Sequence, residues 1–244
     1  MAVPHKSTYL PSQSQVQVCL WLWVAKAPAA IPSTQLAPSA DPQLPRLTEH
    51  FYHASQRQPT RWYIETGSYR GDNIGHVADQ YEQVHSIELS QAWYDHCCER
   101  FKNYTNVHLH LGNSKIILPQ LLATMAEPVT VFLDAHYSAG ITAFGDEIKY
   151  GRSGTPLLAE LEILQQRAYD DIIIIDDTRL LGGYGCVNGG ADSEMWPAYL
   201  YDWTDTTEAE IWARLKPGYR LLKNFGNNPF TDGPQDQWVA ARLF

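Results

Sequence analysis

Three aspartates follow two apolar runs. Asp134 ends Val129–Leu133 (VTVFL), and Asp176-Asp177 ends Ile172–Ile175. If those runs are neighbouring strands, the three carboxylates converge. They then repel one another unless a cation joins them, and a set of hard oxygen ligands suits Mg2+ or Ca2+. Spacing alone leaves a plainer reading open, in which each aspartate caps a turn. A second constellation lies earlier. The run Arg61–Ile64 leads into Glu65-Thr-Gly-Ser-Tyr-Arg-Gly-Asp-Asn73, where Gly67 and Gly71 let a ligand approach the backbone closely. Glu88 ends the run Val84–Glu88, 21 residues beyond Gly67. A carboxylate at that distance is placed to accept hydrogen bonds from ribose hydroxyls, which points to a nucleoside-bearing cofactor. As a helix cap, Glu88 would need no ligand.

The elements that must position these groups alternate. A helix is expected from about Asp72, another over Trp93–Tyr104, a strand over Val107–Leu111 and a helix over Ile116–Met125. After Val129–Leu133 comes a helix over Pro156–Ala168, with Leu157, Leu158, Leu161 and Leu164 on one side, and then Ile172–Ile175. Strands apolar on both faces imply a parallel sheet covered by helices. The chain reads as α/β: a Rossmann-like, doubly wound, mostly parallel sheet. A helix around Glu208–Leu215 precedes two runs, Tyr219–Lys223 and Trp238–Phe244, with no helix between them, so the sheet is expected to end in an antiparallel hairpin.

Composition narrows the class. The 244 residues are 44% hydrophobic and 18% charged, enough for one domain with a sizeable core. A net charge of −9 argues against bulk binding to nucleic acid. The four cysteines, at 19, 97, 98 and 186, have no zinc spacing and read as reduced thiols of a cytoplasmic protein. No run of 18 apolar residues suggests a membrane span. The stretch Val18–Ala25 imitates a signal peptide poorly, because only eight apolar residues follow a segment with one Lys and several Gln.

Residues 1–45 differ from the rest. They hold Pro4, Pro11, Pro28, Pro32, Pro38, Pro42 and Pro45, among Ser, Gln and Ala. They read as a Pro-rich extension ahead of a domain over 46–244, whose first helical pattern starts at Leu47. Two connections, Tyr137–Thr155 and the Gly-rich Leu181–Pro197, are long enough to act as lids over a site.

The order of these pieces resembles class I S-adenosylmethionine-dependent methyltransferases. Glu65–Asn73, Ser86-Ile-Glu-Leu89, Leu111–Leu121, Val131-Phe-Leu-Asp134 and Ile174-Ile-Asp-Asp177 look like that family's successive motifs. The nearest branches look like the Mg2+-dependent O-methyltransferases, such as catechol O-methyltransferase, and macrocin O-methyltransferase and cephalosporin-hydroxylase-like proteins. The resemblance covers about residues 47–244. It implies that Glu65, Gly67, Ser68, Tyr69, Gly71 and Asn73 border the methionine part of S-adenosylmethionine. Glu88 would hold the ribose and Leu89 flank the adenine, with Asn113, Ser114 and Lys115 at the adenine edge. Asp134 would adjoin both cofactor and metal, and Asp134, Asp176 and Asp177 would hold Mg2+. The acceptor would be a small hydroxylated molecule, and a homo-oligomer stays open.

Two departures from that pattern bear on the chemistry. The catechol branch has Asn as its third metal ligand, where Asp177 stands here. That branch also has a Lys base three residues after the first metal Asp, where this chain has Tyr137, preceded by His136. His136 is therefore the first candidate for a general base, with Asp134 beside it. The other eight His show no ligand spacing. Ser114 also fits a helix N-cap. A metal-independent methyltransferase remains a rival, as does a non-catalytic protein that binds a nucleoside or a partner.

Overall fold

Four consecutive isoleucines send alternate side chains to opposite sides of a strand. In the computed structural model, which describes residues 60–137, 154–187, 199–225 and 237–242, Ile173 and Ile175 enter one apolar cluster and Ile172 and Ile174 another. Val131 and Leu133 divide from Phe132 in the same way, and Ile64 divides from Tyr63. The sheet is thus buried on both faces, as apolar runs of this kind require.

The strands are β1 (Trp62–Thr66), β2 (Gln83–Glu88), β3 (Val107–Leu111), β4 (Thr130–Leu133), β5 (Ile172–Ile175), β6 (Tyr184–Val187), β7 (Tyr199–Asp202), β8 (Tyr219–Phe225) and β9 (Gln237–Arg242). The helices are α1 (Asp72–Val77), α2 (Gln91–Arg100), α3 (Ser114–Ala123), α4 (Leu157–Gln165) and α5 (Glu208–Arg214). Seven strands form one sheet in the order β3-β2-β1-β4-β5-β9-β8, parallel from β3 to β5. Strand β9 runs antiparallel to both β5 and β8, which makes the expected hairpin. Leucines of α3 and α4 and Ile211 of α5 cover one face, and Ile74 and Val77 of α1 with Cys97 of α2 cover the other. The architecture is the Rossmann-like doubly wound sheet with helices on both faces.

The strand order reverses between β1 and β4, and in such sheets a crevice opens there, beyond the carboxyl ends of the strands. Thr66 pairs with Ile87 and with Leu133, and Leu133 pairs with Ile175, so the strands end level. The ladder continues one step further. Gly67 N–H donates to Ile87 O (2.9 Å), Asp134 N–H to Thr66 O (3.1 Å), Asp176 N–H to Leu133 O (3.1 Å) and Gly112 N–H to Glu88 O (2.8 Å). The first residue after each of these strands is therefore fixed by the sheet itself. A buried ion pair braces the opposite end. The Arg167 guanidinium bonds Asp171 (2.7 Å) and the carbonyls of Leu122, Met125 and Glu127, while Asp171 accepts from Val129 N–H.

Several details differ from the sequence reading. The helix after the glycine turn has only six residues. Helix α3 begins at Ser114 because Asn113, not Ser114, is its cap, with the Asn113 side chain accepting from Lys115 N–H (2.9 Å). The segment from Leu181 is not all loop. Its residues 184–187 form β6, which pairs antiparallel with β7 in a separate small sheet. Tyr201 lies over Gly183 and Gly185, where a Cβ would meet its ring or hydroxyl at 3.1–3.4 Å. The extension 1–45, the helical pattern at Leu47, residues 138–153 of the first lid, 188–197 of the second and the hairpin loop 226–236 lie outside the described residues. No helix among the described residues is long and apolar enough to cross a membrane.

Candidate functional site

The turn after β1 works through backbone conformation. Gly67 (φ 87), Tyr69 (φ 46) and Gly71 (φ 76) all occupy the left-handed region, which is costly for Tyr69 because it carries a Cβ. A Cβ on Gly67 would sit 2.8 Å from the Asp134 carbonyl oxygen. Glycine there lets the turn of β1 lie directly against the end of β4 across the switch point. The strained Tyr69 is held on several sides. Its N–H donates to Glu88 Oε2 (2.9 Å), its carbonyl accepts from Cys97 Sγ (3.1 Å), and its ring packs on Trp93 with centroids 4.3 Å apart.

Beneath the turn lies a closed polar network. Glu65, only 1% exposed, accepts from Asn73 Nδ2 on Oε1 (2.8 Å) and from Ser86 Oγ on Oε2 (2.7 Å), and the Ser86 and Ser68 hydroxyls are 2.6 Å apart. Burial pushes the Glu65 carboxyl up to about 7, against the lowering effect of the Ser86 and Asn73 hydrogen bonds. Glu88 is buried at the end of β2, where Oε1 accepts from Ser90 N–H (2.7 Å). Burial raises its pKa as well, opposed by hydrogen bonds from the backbone. Glu88 thus closes the start of α2 and also faces the turn, with backbone amides of Ser68, Tyr69, Leu89 and Ser90 directed at its carboxylate. Around this stretch of rim Leu89 (37% exposed), Leu111 and Ile116 (59% exposed) present apolar surface, with Leu111 opposite Glu88 in register.

On the other side of the switch point β4 and β5 bring the three aspartates together, as the spacing suggested. Burial first, then the charges of Asp176 and Asp177, hold the Asp134 carboxyl well above its ordinary range. Asp177 is in the left-handed conformation (φ 53), ahead of a 3-10 turn over Thr178–Leu180. His136 lies between the two strand ends. Its Nδ1 is 3.1 Å from the Asp134 carbonyl oxygen and its Nε2 is 3.0 Å from Asp177 Oδ2. Arg179 forms an ion pair with Asp177.

The metal-compatible cluster among the described residues is Asp134, His136 and Asp177, with ligand atoms within 4.8 Å of one another. Asp176 stands next to this trio and acts on Asp134 through its charge. His136 therefore sits where a ligand would, although sequence reasoning assigned it to proton transfer. Leu133, Asp134, His136, Glu160, Asp176 and Trp203 are among the residues lining a small void beside the cluster.

Away from the rim, three histidines that showed no ligand spacing gather on β2 and β3. The rings of His108 and His110 stack on His85 at 4.8 and 5.2 Å, and His85 Nδ1 is 2.9 Å from His110 Nε2. The signal was His108-x-His110, two residues on one face of a strand, but the partner His85 is visible only once the β2–β3 register is known.

No protein-family model and no curated protein matches the chain. Solved structures do resemble it. An O-methyltransferase from Bacillus cereus in complex with SAH is 16% identical with a TM-score of 0.48, covering 96% of this chain and 93% of that one. The N-terminal domain of EvdMO1 with SAH bound is 14% identical with a TM-score of 0.45, covering 81% and 79%. An rRNA methylase from Streptococcus thermophilus is 12% identical with a TM-score of 0.45, covering 82% and 99%. Likeness this distant carries no argument about the cofactor or the substrate of this chain.

Proposed function

We propose that the protein is an S-adenosylmethionine-dependent O-methyltransferase acting on a small hydroxylated acceptor, with a divalent cation on the acceptor side. The observation that carries this reading is the junction at the switch point. A left-handed glycine turn and the buried Glu88 on one side lie against a carboxylate–imidazole cluster on the other, with Gly67 in contact with the Asp134 backbone. Glu88 suits ribose hydroxyls, and the apolar surface of Leu89 and Ile116 suits the face of a base. Gly67, Ser68, Tyr69, Gly71, Asn73 and Glu65 form the floor on which the remainder of the cofactor would lie, with Asn113 and Ser114 at the rim of β3.

S-adenosylmethionine supplies a methyl group already activated on a sulfonium. A divalent cation on Asp134, Asp177 and their neighbours would acidify the acceptor hydroxyl and fix its orientation. The chain's own residues then have three tasks. The glycine turn sets the position of the donor, the β4 and β5 rim sets that of the acceptor, and the level strand ends hold the two at a fixed separation. The hydroxyl proton has two acceptors in the cluster. They act where no cation occupies them: Asp134 through a proton affinity raised by burial, and His136 if Asp177 releases Nε2. The 3.0 Å contact between His136 and Asp177 favours a second reading, in which that pair works as a metal-independent base.

Calorimetry with the demethylated product, S-adenosylhomocysteine, tests the cofactor. Wild-type protein is expected to bind it, and Glu88→Ala to weaken binding by about 1–3 kcal/mol, the usual cost of losing hydrogen bonds to a charged group. No binding by the wild type would overturn the reading in favour of a partner-binding protein. Unchanged affinity in Glu88→Ala would remove Glu88 from the site.

A further inference from the structure

Mg2+ takes oxygen ligands and keeps much of its water, whereas imidazole nitrogen suits later first-row dications such as Fe2+, Ni2+, Cu2+ and Zn2+. Three oxygen ligands from aspartates would be a magnesium set. The cluster at the ends of β4 and β5 instead contains a nitrogen donor, because His136 stands between Asp134 and Asp177. We infer that Asp134, His136 and Asp177 form a mixed nitrogen–oxygen site that takes a first-row transition-metal dication in preference to Mg2+, with His136 Nε2 as the nitrogen ligand. The inference deepens the metal-assisted reading above and rests on it for any use in methyl transfer.

Two independent observations support the assignment. The first is separation. Ligands about 2.0–2.2 Å from a shared ion lie roughly 3–4 Å apart, so donor atoms already within 4.8 Å need only a small inward adjustment. The second is the orientation of the ring. A metal-ligating histidine characteristically donates its other N–H to a carboxylate or a backbone carbonyl, which fixes both tautomer and ring plane. His136 Nδ1 faces the carbonyl oxygen of Asp134 at 3.1 Å and lies 3.6 Å from Asp134 Oδ1, while Nε2 is directed at Asp177 Oδ2 at 3.0 Å. Trp203 meets the ring edge-on at a centroid distance of 6.0 Å and limits its rotation. The carbonyl it uses belongs to a residue whose N–H is laddered to Thr66, so the nitrogen is aimed by the sheet. Asp177 is turned back toward it by its left-handed backbone. Arg179, 48% exposed, supplies the positive charge now beside Asp177 and has room to swing outward when a dication takes over that role.

The test uses full-length protein, stripped with chelator, dialysed, and titrated separately with CoCl2, MnCl2 and MgCl2 by calorimetry without cofactor. Co2+ is expected to bind at least about 10-fold tighter than Mg2+, with Mn2+ weaker than Co2+. Pulsed electron paramagnetic resonance of the Mn2+ complex should show coupling to one imidazole 14N. His136→Gln keeps an oxygen donor, so it should lose that coupling and lower the Co2+-to-Mg2+ preference by about 10-fold or more. Mg2+ binding as tightly as Co2+, or a wild-type Mn2+ spectrum without nitrogen coupling, overturns the assignment. The wild-type spectrum decides the question even if the variant fails to fold. Titration of the same sample with S-adenosylhomocysteine separates the two claims, since failure there strikes the cofactor reading and leaves the metal result standing.

Discussion

The two sides of the switch point solve the same electrostatic problem differently. Both place carboxylates at buried or half-buried strand ends, where burial raises their proton affinity. On the β1–β2 side the charge is met by hydrogen-bond donors. Asn73 and Ser86 serve Glu65, and the Tyr69 and Ser90 amides serve Glu88. On the β4–β5 side, Asp134 and Asp177 flank one imidazole, Asp177 pairs with one arginine, and Asp176 acts on Asp134 through its charge. A network closed by donors is held in place by the protein alone. A cluster of like charges is preorganised for a cation. The difference teaches that the two sides should respond separately to removal of metal and to pH.

On the proposed mechanism, the largest effect is expected from breaking the β4–β5 side alone. Excess chelator should reduce methyl transfer by more than about 1000-fold, since metal activation of a hydroxyl is worth several kcal/mol. S-adenosylhomocysteine binding should stay within about 3-fold, because the contacts proposed for it lie on β1 and β2. Asp176→Asn and Asp177→Ala should behave like chelation, while Asp134→Ala should also weaken cofactor binding. Full turnover in chelator would eliminate the metal-assisted mechanism and make the His136–Asp177 pair the base to test.

A pH titration sharpens the comparison on the β1–β2 side. Glu65 has its pKa raised to about 7 in the folded chain, above the ordinary carboxylate value. Between the two values the folded state binds more protons than the unfolded state, so stability falls as pH rises through that window. The full shift corresponds to roughly 3 kcal/mol. Urea midpoints of metal-free protein should therefore drop from pH 5 to pH 8, and Glu65→Gln should flatten the drop even though it loses one hydrogen bond. An unchanged slope in the variant would show that Glu65 is already ionised throughout.

How legible each side was in the sequence follows from what positions it. Glu65, Gly67 and Glu88 are placed by local chain direction, since a strand, a glycine turn and the end of the next strand appear in order along the sequence. Asp134 and Asp176 were legible for the same reason, because apolar runs end where they begin. His136 was not. Its ring is aimed by the Asp134 carbonyl and by an Asp177 that turns left-handed, and neither hydrophobic periodicity nor residue spacing encodes such an angle. The β6–β7 pair was missed because Gly183, Gly185 and their neighbours look like loop. Glycine is needed there so that Tyr201 can lie against the backbone, a contact made by a strand 12 or more residues away. The sheet order was legible only as a class, since no local pattern says that β4 returns to the far side of β1.

The smallest effect belongs to the histidines of β2 and β3, which give an internal reference of opposite sign. Burial lowers the His85 pKa to about 4, helped by the neighbouring His110 and His108. His110 is lowered too, again mainly by burial. Here the unfolded chain binds more protons between about 4 and the ordinary histidine value, so stability is fully present above that value and is lost as pH falls. His85 is partly exposed, and screening reduces the expected loss to about 1 kcal/mol between pH 7 and pH 5. The groups facing His85 are His108, His110 and the Trp62 ring, with Gln83 bonded to His108, and none of them is a carboxylate that would stabilise an imidazolium. His85→Val keeps a residue suited to a strand and removes the acid-labile ring. Its urea midpoint should therefore fall less than that of the wild type on acidification. Amide exchange along the edge strand β3 should likewise become less sensitive to acid. Combining His85→Val with Glu65→Gln should remove both opposing slopes and leave a flatter profile than either single variant. If the double variant keeps the wild-type curvature, other titrating groups govern stability in this range and the contrast between the two sides does not extend to the fold.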